Sequence, residues 1–435
     1  MAGCSLYFDH RYRGENFVLY SDHEPDFITR TGTEVEQIFS GYTRLFKTPD
    51  DEIGDTTIVL QGEPPDETVV DLSYSPQLLG YYLPIFNLIS VDTTASWTRE
   101  PETLRQILLH EVAHHFIITD YPEASDRCWL NEGLAGNLEM TLFDGENFEY
   151  PLINPPLLRI ARRTISNLQY EFSLREFVDT SWTEFHQDGK KEIHYALAWS
   201  VINFLLIEHL DTSLPLGHRI KQLYHLSSDR IGALEPEWRR HLDSFDLTKT
   251  LIELAYKGSP NLTSIWAIRQ LGSNDGLDRP TVLAALESGF ASPDNARRQS
   301  SYLSFLRTLG RSFRTSYPSV EESRLIQRGV SRVQDILEES AISDQFRETL
   351  MTEITHSVTD QWLWIPTLVD LLESTKSNLR AMAAHGLAQT HIKPTVLNPR
   401  FWREASAKDR SGEVQEWKNW LNQHRPVFSS FTPAN

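Results

Sequence analysis

His110-Glu111-Val112-Ala113-His114 places two imidazoles and a carboxylate within five residues. On a helix, four residues turn the chain through about 400°, so the two imidazoles leave one face ~40° apart and one turn along. Both can then reach a single Zn²⁺ at Zn–N distances of about 2.0–2.1 Å. Glu111 stands about 100° round from His110, beside such a metal rather than on it, where a carboxylate can take a proton from water. A hydrolytic zinc keeps three protein ligands and one open position, so a third ligand is required downstream. Asp120 falls at the slot of an HExxHxxGxxH arrangement, but that arrangement needs glycine at 117. The β-branched Ile117 stands there instead, and positive φ is strongly disfavoured for it. Glu132, in Trp129-Leu130-Asn131-Glu132-Gly133-Leu134-Ala135 on the next predicted helix, can swing across to the first, and is the expected ligand. Glu139, seven residues further on the same face, could receive the second N–H of a ligating histidine; a solvated Glu139 fits the sequence equally well. His115 lies outside the motif and is expected to pack or hydrogen-bond locally.

The elements that must position these residues can be read from periodicity. Residues 101–118 are helical, with Pro101 in the first turn and Glu100 and Glu102 beside it, as a helix start prefers. A second helix is expected from Cys128 to Leu142, and a third over 194–210 (HYALAWSVINFLLIEHL). Ahead of them, Val35, Ile38, Phe39, Tyr42 and Leu45 follow the i, i+3, i+4, i+7 template. NFVLYSD (16–22), TTIVLQ (56–61), ETVVDLSY (67–74) and NLISVD (87–92) read as strands. An edge strand near Asn87–Val91 is expected to hold an extended peptide by strand addition.

HEVAHHF followed by WLNEGLAGNLE resembles the gluzincin metallopeptidases, whose HExxH and downstream Glu in an NEG context bind zinc. The match extends to the catalytic motifs of the zinc aminopeptidases. Gly80-Tyr81-Tyr82 through Asn87-Leu88-Ile89 is similar to the segment leading into HExxH in uncharacterised bacterial gluzincin-like proteins. The resemblance covers roughly residues 15–245. It implies zinc on His110, His114 and Glu132, with Glu111 as general base. Seventeen residues separate His114 from Glu132, slightly fewer than in the aminopeptidases, and no counterpart of their GxMEN-type amine anchor is present. Gluzincins commonly supply a Tyr or His from a later helix to the developing oxyanion. Here His194-Tyr195 opens such a helix, which implies Tyr195, with His194 as the alternative.

The 435 residues carry 41 Lys+Arg against 60 Asp+Glu, a net charge of -19, which argues against a general nucleic-acid or anionic-membrane binder. Cys4 and Cys128 cannot make a disulfide framework, and no CxxC pattern exists. The opening MAGCSLYFDHRYRGENF lacks a signal-type apolar region, and runs such as VINFLLI (201–207) are far shorter than a membrane span of ~20 residues. A cytoplasmic location is expected. No GxSxG elbow, P-loop or GxGxxG is present.

Length favours two or three domains. The expected architecture is an α+β zincin-like catalytic domain over 1–255 and an all-α domain over 256–435. In the latter, Leu-Glu-Ser at 286–288, Leu-Glu-Glu-Ser at 337–340 and Leu-Glu-Ser at 372–374 each end an apolar helix. Each is followed by a helix with an early arginine, Arg297, Arg347 and Arg380. This resembles HEAT-type helical pairs, although unrelated helices sharing common residues would look similar. The expected function is zinc-dependent hydrolysis of a peptide or protein substrate, with the tail as a place for a protein partner. The alternatives are a zincin-fold binding protein without turnover, against which an intact Glu111 argues, and a helical interaction scaffold.

Overall fold

A computed structural model describes residues 8–49, 54–62, 79–167, 172–274, 276–312, 319–339, 342–356, 361–390 and 398–429. The structure is mixed α/β and 69% helical, with a small N-terminal sheet and a long all-helical C-terminal region. The chain divides into two compact units, Met1–Phe245 and Asp246–Asn435; the helix Leu247–Tyr256 thus belongs to the second. No described helix is long and apolar enough to cross a membrane.

In the first unit, five strands, β1 (His10–Arg13), β2 (Phe17–Ser21), β3 (Thr56–Gln61), β4 (Gly80–Leu83) and β5 (Leu88–Asp92), form one sheet. Their order is β1-β2-β3-β5-β4. The central β2, β3 and β5 are parallel, and the edges β1 and β4 are antiparallel to their neighbours. Parallel strands are ordinarily covered on both faces, and Ile58, Leu60, Ile89 and Val91 are fully buried. The Asn87–Val91 stretch is therefore not an edge. β4 covers it, because the chain doubles back through the turn Pro84–Phe86 and pairs Leu83 with Leu88. The expected strand at 67–74 lies outside the described residues.

Helix α1 (Pro25–Phe46) begins with Pro at its first turn and ends at Lys47, whose φ of 57° stops further helix. Its apolar face buries Ile28, Val35, Ile38, Phe39, Tyr42 and Phe46. Helix α2 (Pro101–Asp120) is apolar on nearly every side, burying Leu104, Leu108, Leu109, Val112, Ala113, Phe116 and Ile117, as a helix in the middle of a core must. Helix α3 (Cys128–Leu138) follows after a tight turn. It stops four residues short of the expected Leu142, which instead opens a two-residue strand, Leu142–Phe143. Helices α4 (Pro155–Ser166), α5 (Leu174–Val178), α6 (Trp182–Phe185) and α7 (Lys191–Phe204) complete the surroundings of the site. α7 relaxes into a π-turn over Leu205–His209.

Four polar contacts lock α1, α2, α3 and α7 together. The fully buried Tyr42 hydroxyl of α1 reaches Leu109 O of α2 (3.1 Å) and Leu138 O of α3 (3.2 Å). Asn137 donates to Trp199 O at 3.0 Å, and Asn203 to Asn137 Oδ1 at 3.1 Å, tying α3 to α7. Gly133 permits the closest approach: a Cβ there would stand 2.5 Å from the Ala198 carbonyl oxygen.

The second unit is all helical among its described residues. The three early arginines fall on the helices Asn295–Ser312, Asp344–His356 and Ser377–Gln389, and all three are buried.

Candidate metal centre

α2 and α3 bring His110, His114 and Glu132 together. One ligand atom from each lies within 4.8 Å of the others. Glu132 Oε2 is 3.3 Å from His110 Nε2 and 3.4 Å from His114 Nε2. The far nitrogen of each ring is already engaged. His110 Nδ1–H donates to Glu139 Oε2 at 2.8 Å, and His114 Nδ1–H to Asn131 Oδ1 at 2.9 Å. Those bonds orient the rings and leave both Nε2 atoms facing Glu132, the arrangement usual for metal-bound histidines. Two imidazole nitrogens and one carboxylate oxygen, all on buried or nearly buried residues, form a donor set that fits a metal ion.

Burial penalises a charged His110, but hydrogen bonds to Glu132 and Glu139 outweigh it and hold its pKa well above the ordinary imidazole value. Burial likewise works against an ionised Glu132. His114 and the hydrogen bonds from the neighbouring rings prevail, and its carboxyl is held well below the usual range. Glu111 behaves oppositely: burial raises its pKa, and His110 and His114 offset this only in part. Its Oε2 is buried with no hydrogen-bond partner among the described residues, and so remains available as an acceptor. Gly80 of the edge strand makes room for this side chain, since a Cβ there would sit 2.8 Å from Glu111 Oε1.

Tyr195 joins the cluster from α7, its ring stacked on His110 at 6.2 Å between centroids. Burial, then the Glu132 and Glu111 charges, push its pKa well above the phenol value, so its hydroxyl stays protonated. His194 points elsewhere. Its Nδ1–H donates to Phe185 O at 2.8 Å and its ring packs on Phe177 and Phe185. Asp120 is also outside the cluster, held 3.0 Å from Lys221 Nζ. His115 is buried against Tyr82, whose hydroxyl is 3.2 Å from its Nδ1.

Four further residues surround the cluster without having been expected. Asn131, next to Glu132 in sequence, orients His114. Asn154 caps α4 by accepting from Leu157 N and turns its amide to Glu139 Oε1, steadying the carboxylate that holds His110. His186 Nε2 lies 3.3 Å from Glu132 Oε1, with Nδ1 2.9 Å from the Trp182 carbonyl. Lys191, one turn before Tyr195 on α7, rests over the Tyr195 ring with Nζ 5.6 Å from its centroid. The i, i+4 relation to Tyr195 was a usable signal for Lys191. His186 and Asn154 come from loops whose return to the site no local pattern encodes. No family model, curated protein or solved structure matches the chain.

Proposed function

We propose that the first unit is a zincin-like, gluzincin-type zinc peptidase that hydrolyses peptide bonds with Glu111 as general base. The observation that supports this most is the His110–His114–Glu132 cluster with both remote imidazole nitrogens occupied and an unpartnered carboxylate one residue from the first ligand. Three N/O ligands with a fourth position left to water or substrate are the donor set of hydrolytic zinc. Bound there, Zn²⁺ supplies Lewis acidity toward the scissile carbonyl and lowers the pKa of water to about 7.

The chain's own residues then divide the remaining work. Glu111 accepts the proton of the attacking water as its oxygen adds to the carbonyl carbon. It delivers that proton to the amine as the C–N bond breaks, and its burial favours holding the proton between the two steps. The Tyr195 hydroxyl, kept protonated by its surroundings, donates to the oxygen on which negative charge develops. β4, an edge strand whose Gly80 lies against Glu111, offers free backbone groups to an extended substrate. A peptide-library digest comparing zinc-loaded wild type with Glu111→Gln tests this directly. Cleavage by wild type and its loss in the variant, at equal zinc content, is the expected result. Equal cleavage by both chains would remove Glu111 as the base, and none by either would refute the peptidase reading.

A further inference from the structure

Lys191 stands at the centre, and the proposed reaction does not use its charge. It stands in the first turn of α7, half-buried, at the positive end of the helix dipole, where a cation gains nothing from the helix. Among the described residues no carboxylate lies within ion-pair distance of its ammonium, and its close contact is the face of Tyr195. Glu132, Glu111 and Asp188 act on it only from beyond ion-pair distance, so a partly desolvated ammonium is left without a direct partner, and a ligand that brings a carboxylate would supply one. The offset is also suitable. The Lys191 ammonium stands 5.6 Å from the Tyr195 ring centroid, and extended chain advances about 3.3–3.6 Å per residue. A group at the lysine is therefore one or two residues from a carbonyl at the Tyr195 hydroxyl.

We propose that Lys191 anchors a substrate carboxylate one or two residues from the bond that is cut, a specificity that rests on the peptidase reading above. The carboxylate comes either from a free peptide C-terminus or from an Asp or Glu side chain.

The test is a calorimetric binding series on the full, zinc-loaded chain carrying Glu111→Gln, so that no probe is consumed. The probes are acetyl-dialanine as the free acid, the same peptide as its C-terminal amide, and acetyl-glutamyl-alanine amide. At least one acid-bearing probe should bind about tenfold or more tighter than the neutral amide, as a charge-assisted hydrogen bond gives. Which one does so identifies the source of the carboxylate. Adding Lys191→Met should reduce that preference to within about twofold, and Lys191→Arg should restore most of it, with zinc content unchanged in both. In the chain with lysine intact, raising salt to 1 M should also erode the preference. Equal binding of acid and amide, a preference that survives Lys191→Met, or one indifferent to salt would overturn the proposal. Peptide cleavage by wild type without this selectivity would overturn the anchor alone. Selectivity in a chain that cuts no peptide would overturn the peptidase reading and leave a carboxylate-binding site.

Discussion

Three glutamates at the centre have the same side chain and three different fates, set by what surrounds each. Glu132 faces the His110 and His114 imidazoles and stays ionised. Glu139 faces the back of His110 and orients its ring. Glu111 is buried beside the cluster with one oxygen unpartnered, and its proton affinity rises. HExxH made His110, Glu111 and His114 legible, and the Asn131-Glu132-Gly133 context did the same for Glu132. Glu139 was legible as one of two options, from helical spacing. Asp120 lost its claim because Ile117 cannot make the sharp turn; α2 simply continues through it to Asp120, which then meets Lys221. Glu132→Ala should therefore weaken zinc affinity sharply while Asp120→Ala changes it little, as a chelator-competition titration would report. The reverse order would move the third ligand to Asp120. Tyr195→Phe removes only a hydroxyl and should lower kcat about 10²-fold or more with zinc content unchanged. A near wild-type kcat would make Tyr195 a packing residue.

The geometry of those side chains depends on how closely the helices approach. Gly133 follows Glu132 directly and lies where α3 meets the Ala198 backbone of α7, three residues after Tyr195. An alanine inside a helix normally gains about 1 kcal/mol over glycine. At 133 its methyl would meet a carbonyl oxygen at 2.5 Å and Ile202 Cγ1 at 2.6 Å, and overpacking of that kind costs about 1–3 kcal/mol or more. The clash should win, so Gly133→Ala should lower stability in chemical denaturation. Gly412→Ala, with nothing within 4 Å in the helix Ala407–Ser429, should raise it slightly. Stabilisation by Gly133→Ala would show that α3 and α7 can separate freely. At this scale the main helices and the central strands β2, β3 and β5 were legible because their periodicity is local, while β1 and β4 were not expected. The edge of the sheet was not, since strand order depends on how β4 returns against β5, a non-local event. The end of α3 was misjudged for a related reason: its last turns are set by tertiary contacts such as Tyr42 to Leu138 O, which no sequence window contains.

Across the whole molecule, the first unit contains His110, His114 and Glu132, and the second is built from helices alone among its described residues. The early arginines that suggested helical pairs are structural. Arg347 donates to Leu337 O at 3.1 Å, Arg380 to Ser374 O at 2.7 Å and Arg297 to Gly258 O at 3.1 Å. The central claim concerns the first unit: His110, His114 and Glu132 hold one metal ion. It is tested most directly by elemental analysis of the full chain after zinc loading and exhaustive dialysis, beside folded His110→Ala and His114→Ala variants. One zinc per wild-type chain and its loss from both variants is the predicted result. A wild-type chain that retains no zinc, or a folded variant that keeps it stoichiometrically, would contradict it.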